Sequence, residues 1–106
     1  IVLGMMYQGA VDATPESLNS MIEFLPEGCY FNCCATSAAQ LPITTMAMIR
    51  GGAIRVGLED NIYYSRGVLA KSNAELVARM ARIAAEMGRP VAKPAEARKI
   101  LRLDGR

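Results

Sequence analysis

Three short apolar segments constrain this chain more than anything else in it: IVLGMM at residues 1–6, CYFNCCA at 29–35 and AIRVGL at 53–58. Each is rich in β-branched, aromatic or small residues, and none alternates cleanly between apolar and polar. That pattern marks a parallel strand covered on at least one face. The segments begin about 25 residues apart. The intervals are long enough to hold a crossover helix, as a parallel connection requires.

Helix signals fill the intervals. Thr14 is placed to cap a helix near 14–25, with Pro15 at its first position and Leu18, Met21, Ile22 and Leu25 along one face. A second helix, near 40–50, starts around Pro42, turns Ile43, Met46 and Ile49 inward and stops at Gly51-Gly52. The third, near 72–87, opens on Ser72 with Glu75 three residues on, a capping-box spacing, and carries Leu76, Met80, Ile83 and Met87 as its seam. A short fourth helix near 94–102 follows Pro94. Residues 59–70 read as a loop.

The order β-α-β-α-β-α-α is a run of βα units around a parallel sheet. The repeat suits the last three units of a (β/α)8 barrel plus a C-terminal helix, residues 1–106 forming the C-terminal part of one barrel domain. An open three-stranded α/β sandwich is the competing architecture. The chain opens inside an apolar run without an initiator methionine, so a longer protein with this as its C-terminal portion is expected.

Composition narrows the function classes. The net charge is +2, with no histidine in 106 residues. The basic residues toward the C-terminus alternate with Glu75, Glu86 and Glu96, which describes a solvated helix face and argues against nucleic acid as a partner. No apolar run approaches the roughly 20 residues of a membrane span. Three cysteines, Cys29, Cys33 and Cys34, form no framework, so free thiols in the cytoplasm are expected. The methionines fall on helix seams and read as packing.

Chemistry in βα folds collects at the C-terminal ends of the strands. By that rule the second strand offers Thr36, Ser37 and Gln40, and the third offers Arg55, Glu59, Asp60 and Asn61. Arg55 and Glu59 share the parity of one strand face. A buried arginine needs a partner. Each carboxylate can supply that pairing, ligate a divalent metal through oxygen, or act as a general base. A structural ion pair and a catalytic cluster both satisfy the pattern. Tyr63 and Tyr64 are placed over the same end of the sheet, and Arg66 can reach a carboxylate or a neighbouring subunit.

The run GGAIRVGLEDNIYYSRGVLAKSNAELV, followed by RIAAEMGRPVAKPAEARKIL, resembles the C-terminal region of the β-keto acid cleavage enzymes. RVGLEDN is its most specific part, and the likeness extends over nearly the whole chain. The resemblance implies a zinc-dependent (β/α)8 barrel that converts a β-keto acid and acetyl-CoA into acetoacetate and a new acyl-CoA. It implies Glu59 as a zinc ligand beside two histidines of an upstream H-x-H strand, and Arg55 with Asp60 as the catalytic dyad. Ser37, Asn61 and Tyr63 are weaker substrate-binding candidates. A homo-oligomer is implied in the same way, and the three strands become the sixth, seventh and eighth of the barrel. The family usually carries histidine where Ala53 stands, and a glycine followed by a basic residue where Ser37 and Ala38 stand. Without the histidines this piece is expected to be inactive alone. A different metal-dependent aldolase or lyase on the same barrel, or a non-catalytic interaction fragment, are the other readings. Which β-keto acid is used is not legible.

Overall fold

The structure, a computed structural model, describes residues 1–103. The strands are β1 (Val2–Leu3), β2 (Asn32–Ala35) and β3 (Ala53–Ile54), joined in the order β1-β2-β3. Both pairings are parallel, with Val2 opposite Cys34, Leu3 opposite Ala35, Asn32 opposite Ala53 and Cys33 opposite Ile54. The helices are α1 (Pro15–Glu23), α2 (Gln40–Ile49), α3 (Asn73–Glu86) and α4 (Pro94–Ile100), with a 3-10 turn at Ser37–Ala39 before α2. This is the α/β architecture of βα units around a parallel sheet.

All three strands are shorter than their apolar runs. β1 stops where Gly4 adopts φ 78° and donates its N–H to the Val11 carbonyl. A Cβ at Gly4 would meet Ala13 Cβ and Thr36 Oγ1 at 3.0 Å, so the turn also needs the glycine's missing side chain. Before β2, Cys29 turns back to the Pro26 carbonyl. β3 stays hydrogen-bonded to β2 through Arg55, whose N–H reaches the Cys33 carbonyl at 2.9 Å. It then closes in a turn on the Gly57 carbonyl. Extension beyond these points would leave backbone groups unpaired.

The helices start for the reasons their sequences suggest. Thr14 Oγ1 accepts the Ser17 N–H at 3.1 Å, and Ser72 Oγ accepts the Glu75 N–H at 3.2 Å. The capping box of α3 is shifted by one residue: Glu75 returns to the N–H of Lys71, at 2.7 Å, and not to that of Ser72. Helix α2 departs from its expected face. Ile49 is exposed, and the buried side is Gln40, Ile43, Thr44, Ala47 and Met48. The Gly51 and Gly52 N–H groups cap the Met48 and Ala47 carbonyls, which turns the last residues of the helix away from the sheet.

Leu3, Cys33 and Ala35 from the sheet pack on Leu18 of α1 and on Ile43 and Ala47 of α2. Each of these six is almost completely buried, an apolar transfer of about 1.5–3 kcal/mol for a leucine or isoleucine. A second cluster of Met48, Met80 and Ala84 joins α2 to α3 beside Ile54 and Val56. Arg89, just past α3, donates to the Met48, Gly51 and Gly52 carbonyls and so ties α3 to the lead into β3.

Residues 59–70 are not all loop. Tyr63–Ser65 (β4) and Val68–Leu69 (β5) form a small antiparallel hairpin, with Gly67 at φ 77°. The β-forming residues Tyr63, Tyr64, Val68 and Leu69 flank Arg66-Gly67, a weaker hairpin signal than Asn-Gly or Asp-Gly. No helix among the described residues is long and apolar enough to cross a membrane.

Candidate active site

The turn after β3 gathers the charged residues. Gly57 is its pivot: its carbonyl accepts the N–H groups of Asp60 at 3.2 Å and Asn61 at 3.1 Å. It also accepts Nε2 of the fully buried Gln40, at 3.1 Å. On the other side of the turn, Asn73 Oδ1 accepts the Leu58 N–H at 2.7 Å. The Asp60 carbonyl in turn accepts the N–H of Ser37, at 2.7 Å. The ends of β2 and β3 and the starts of α2 and α3 thus hold one four-residue turn at several points, leaving it little freedom.

That turn brings both carboxylates to Arg55. Nη2 donates to Glu59 Oε1 at 2.9 Å and to both Asp60 oxygens at 3.0 Å, and Nε donates to Asp60 Oδ2 at 3.2 Å. The Arg55–Asp60 contact is therefore a side-on fork, the strong geometry for a guanidinium and a carboxylate. Burial separates the two acids. The Asp60 side chain is 6% exposed, and that of Glu59 is 77% exposed. The hydrogen bonds that Arg55 donates to Asp60 raise the Arg55 pKa further. The guanidinium therefore stays charged throughout the useful pH range.

Cys34 lies opposite Arg55 in the β2–β3 register and shares its sheet face. It is almost fully buried, and desolvation raises its pKa, partly offset by Arg55. It is thus a neutral wall beside the ion pair at ordinary pH.

The cluster carries one positive and two negative charges. Glu59 Oε2 makes no hydrogen bond among the described residues and faces solvent, so Glu59 can offer one oxygen to a cation while its other oxygen stays on Arg55. Among the described residues no group of three His, Cys, Asp or Glu side chains is placed to hold a metal. Catalytic zinc takes three protein ligands. Glu59 offers one oxygen donor, and the described residues do not supply the other two that such a site needs.

The weaker sequence candidates are placed differently. Ser37 stands beside Asp60 through its backbone, at φ 55°, a left-handed conformation uncommon for serine. Asn61 is buried, with Oδ1 accepting the Tyr63 N–H at 3.1 Å and Nδ2 donating to the Tyr63 carbonyl at 2.6 Å, so it shapes the entry to β4. Tyr63 is 47% exposed and borders a separate cavity. Neither touches the Arg55 cluster. Sequence reasoning passed over Gln40 as an anchor and Asn73 altogether. Both bond to main-chain groups, and no side-chain spacing announces that.

A short parallel sheet with an arginine–carboxylate fork and an exposed glutamate at its C-terminal edge defines an α/β protein with a charged site at a strand end. The family model for the β-keto acid cleavage enzymes matches residues 1–103, and the chain belongs to that family. It is 48% identical over 97 residues to the 3-keto-5-aminohexanoate cleavage enzyme of Acetoanaerobium sticklandii, covering 92% of this chain and 36% of that protein. The enzyme of the same name from Fusobacterium nucleatum is 44% identical over 93 residues, covering 88% of this chain and 34% of that protein. The 3-dehydrocarnitine:acetyl-CoA trimethylamine transferase of Rhizobium meliloti is 32% identical over 108 residues, covering 99% of this chain and 36% of that protein. The chain spans about a third of the length of these curated relatives.

Proposed function

We propose that this chain forms the last three βα units of a (β/α)8 barrel that converts a β-keto acid and acetyl-CoA into acetoacetate and a new acyl-CoA. The observation that carries the reading is the Arg55–Asp60 fork at the C-terminal end of β3, with Glu59 held to the same guanidinium. The relatives' names support the substrate classes: several are acetyl-CoA transferases acting on 3-oxo compounds. Barrel closure is supported by helices packed on the Cys33 face of the sheet and by the charged residues on the Arg55 face.

Asp60 is the base. Its carboxylate would take the proton from the carbon between the substrate's ketone and carboxylate; that carbon would attack the acetyl thioester and expel the CoA thiolate. The thiolate would attack the original ketone, break its bond to the central carbon and leave as the new acyl-CoA, while the central carbon takes a proton back to give acetoacetate. Arg55 holds Asp60 in one orientation through two nitrogens and places positive charge where the substrate carboxylate arrives. The Asp60 side chain is already almost desolvated, so little water has to be expelled before it acts. Glu59 would hold zinc together with histidines from outside these residues. Zinc, when bound, supplies a Lewis acid for the developing enolate oxygen. Ser37, from its strained position next to Asp60, would line the substrate's path.

The test uses the complete gene product that contains these residues. It is incubated with acetyl-CoA and a panel of β-keto acids, with and without chelator, and new acyl-CoA masses are sought. The reading expects thioesters that disappear with chelator and in Glu59→Ala and Asp60→Ala. A folded, zinc-loaded protein that forms no thioester from any keto acid defeats it.

A further inference from the structure

Leu58 and Glu59 form the middle of the turn after β3, and the middle is its least supported part. On either side the bonding is dense: the Gly57 carbonyl accepts from Asp60, Asn61 and Gln40, and the Asp60 carbonyl accepts from Ser37. Between them, the Leu58 N–H on Asn73 Oδ1 is the one main-chain hydrogen bond among the described residues. The Glu59 main chain makes none there.

Asn73 has no other task among the described residues. Its side chain makes no bond inside α3, where Ser72 already caps the helix through the Glu75 N–H. Asparagine is also a weak helix former, so propensity does not account for it at the first helical position. Nor does the Leu58 N–H need a side chain to be satisfied. The bond is exposed, and water would take the same N–H at little cost. Water would not fix where that peptide points. Asn73 does, because α3 is anchored behind it: Leu76 is fully buried, and Met80 and Ala84 pack with Met48 of α2. The helix start and the turn also meet directly, since a Cβ at Gly57 would lie 3.4 Å from Asn73 Oδ1.

Leu58 directly precedes the two acids held on Arg55. We infer that Asn73 is a positioning residue of the proposed active site. Through the Leu58 N–H it fixes the middle of the turn, and so the placement of Glu59 and Asp60 against Arg55 and the substrate; this rests on the β-keto acid reading above. A small misplacement of a reacting group costs up to about 10²-fold in rate, whereas an exposed hydrogen bond that water replaces contributes little to stability. The Asn73 side chain therefore matters to the rate and not to the fold.

The complete gene product tests this, as wild type, Asn73→Ala and Asn73→Asp, with acetyl-CoA and the panel of β-keto acids. Asn73→Ala removes the acceptor and is expected to lower kcat about 10- to 100-fold, with KM and the urea midpoint unchanged. Asn73→Asp keeps an oxygen in the same place and is expected to restore most of the rate. Amide hydrogen exchange at Leu58 is expected to quicken in Asn73→Ala and not in Asn73→Asp, while Leu76 of α3 keeps its protection. Wild-type kcat in Asn73→Ala overturns the inference. So does a loss that Asn73→Asp shares in full, or one that accompanies a lowered urea midpoint, which would make Asn73 a stability contact only. The reaction reading fails separately. A wild type that forms no thioester from any keto acid defeats that reading, and Leu58 exchange then decides by itself whether Asn73 holds the turn.

Discussion

Replacing Gln40 by leucine separates stability from activity. Gln40 is completely buried, with Nε2 on the Gly57 carbonyl at 3.1 Å and Oε1 buried without a partner. Leucine has a similar volume, so the cavity change is small. Two changes then compete. Loss of the hydrogen bond costs about 0.5–1.5 kcal/mol. Its acceptor is not orphaned, because the Asp60 and Asn61 N–H groups still reach the same carbonyl, so the lower end applies. Removal of the unmet Oε1 returns about 1–3 kcal/mol. The balance is a protein about 1 kcal/mol more stable. Activity moves the other way. Without Nε2 the turn carrying Glu59 and Asp60 loses one of its anchors, and a small displacement of a catalytic group lowers the rate by about 10- to 100-fold. Stability is read from the urea midpoint at constant slope, and activity from acyl-CoA formation by the complete gene product. A Gln40→Leu protein that is clearly destabilised, or equally active, refutes the argument that Gln40 serves the site at the expense of the core.

Further outcomes follow from the same geometry. Asp60→Asn keeps the shape of the fork but removes the proposed base, and acyl-CoA formation is expected to fall about 10²- to 10⁴-fold, with zinc content by elemental analysis unchanged. Glu59→Ala is expected to lower zinc content as well as rate, and equal metal retention would remove Glu59 from the ligand set. Gly52→Ala puts a Cβ 2.2 Å from the Phe31 ring, and a loss of about 1–3 kcal/mol is expected by chemical denaturation; an unchanged midpoint would mean the ring moves freely. Of the thiols, Cys29 is exposed and Cys33 and Cys34 are buried with raised pKa values caused first by desolvation. One cysteine per chain is therefore expected to react quickly with a thiol reagent at pH 8. The folded state also holds those two protons more tightly than the unfolded state, so stability is expected to fall as pH rises above 9.0, the ordinary thiol value. Rapid reaction of all three thiols, or stability that rises across that range, would contradict their burial.

Much of this was legible in the residues. The caps at Thr14 and Ser72 are local chemistry: a side-chain oxygen close in sequence to the N–H it accepts. The order of strands and helices follows from apolar periodicity and spacing. The Arg55, Glu59 and Asp60 grouping is likewise a near-neighbour arrangement, readable once β3 is known to end there. The hairpin at Tyr63–Leu69 was passed over because its strands are very short and its turn, Arg66-Gly67, is not one of the strongest hairpin dipeptides. The face of α2 was misjudged at Ile49 because apolar residues occupy nearly its whole circumference, and periodicity cannot choose a side of such a helix.

The sequence by itself thus determined the βα order, the helix starts and the family, because each rests on contacts between residues close along the chain. Only the tertiary structure decided which carboxylate is buried, since Asp60 and Glu59 are adjacent and chemically alike. Their difference comes from the turn around Gly57, held by Gln40 from α2, Asn73 from α3 and Ser37 from the end of β2. The burial of Arg79 is of the same kind: Tyr64, 15 residues away, accepts its Nη1 and stacks on its guanidinium. Such partners meet only when the helices dock, and no local pattern encodes the meeting.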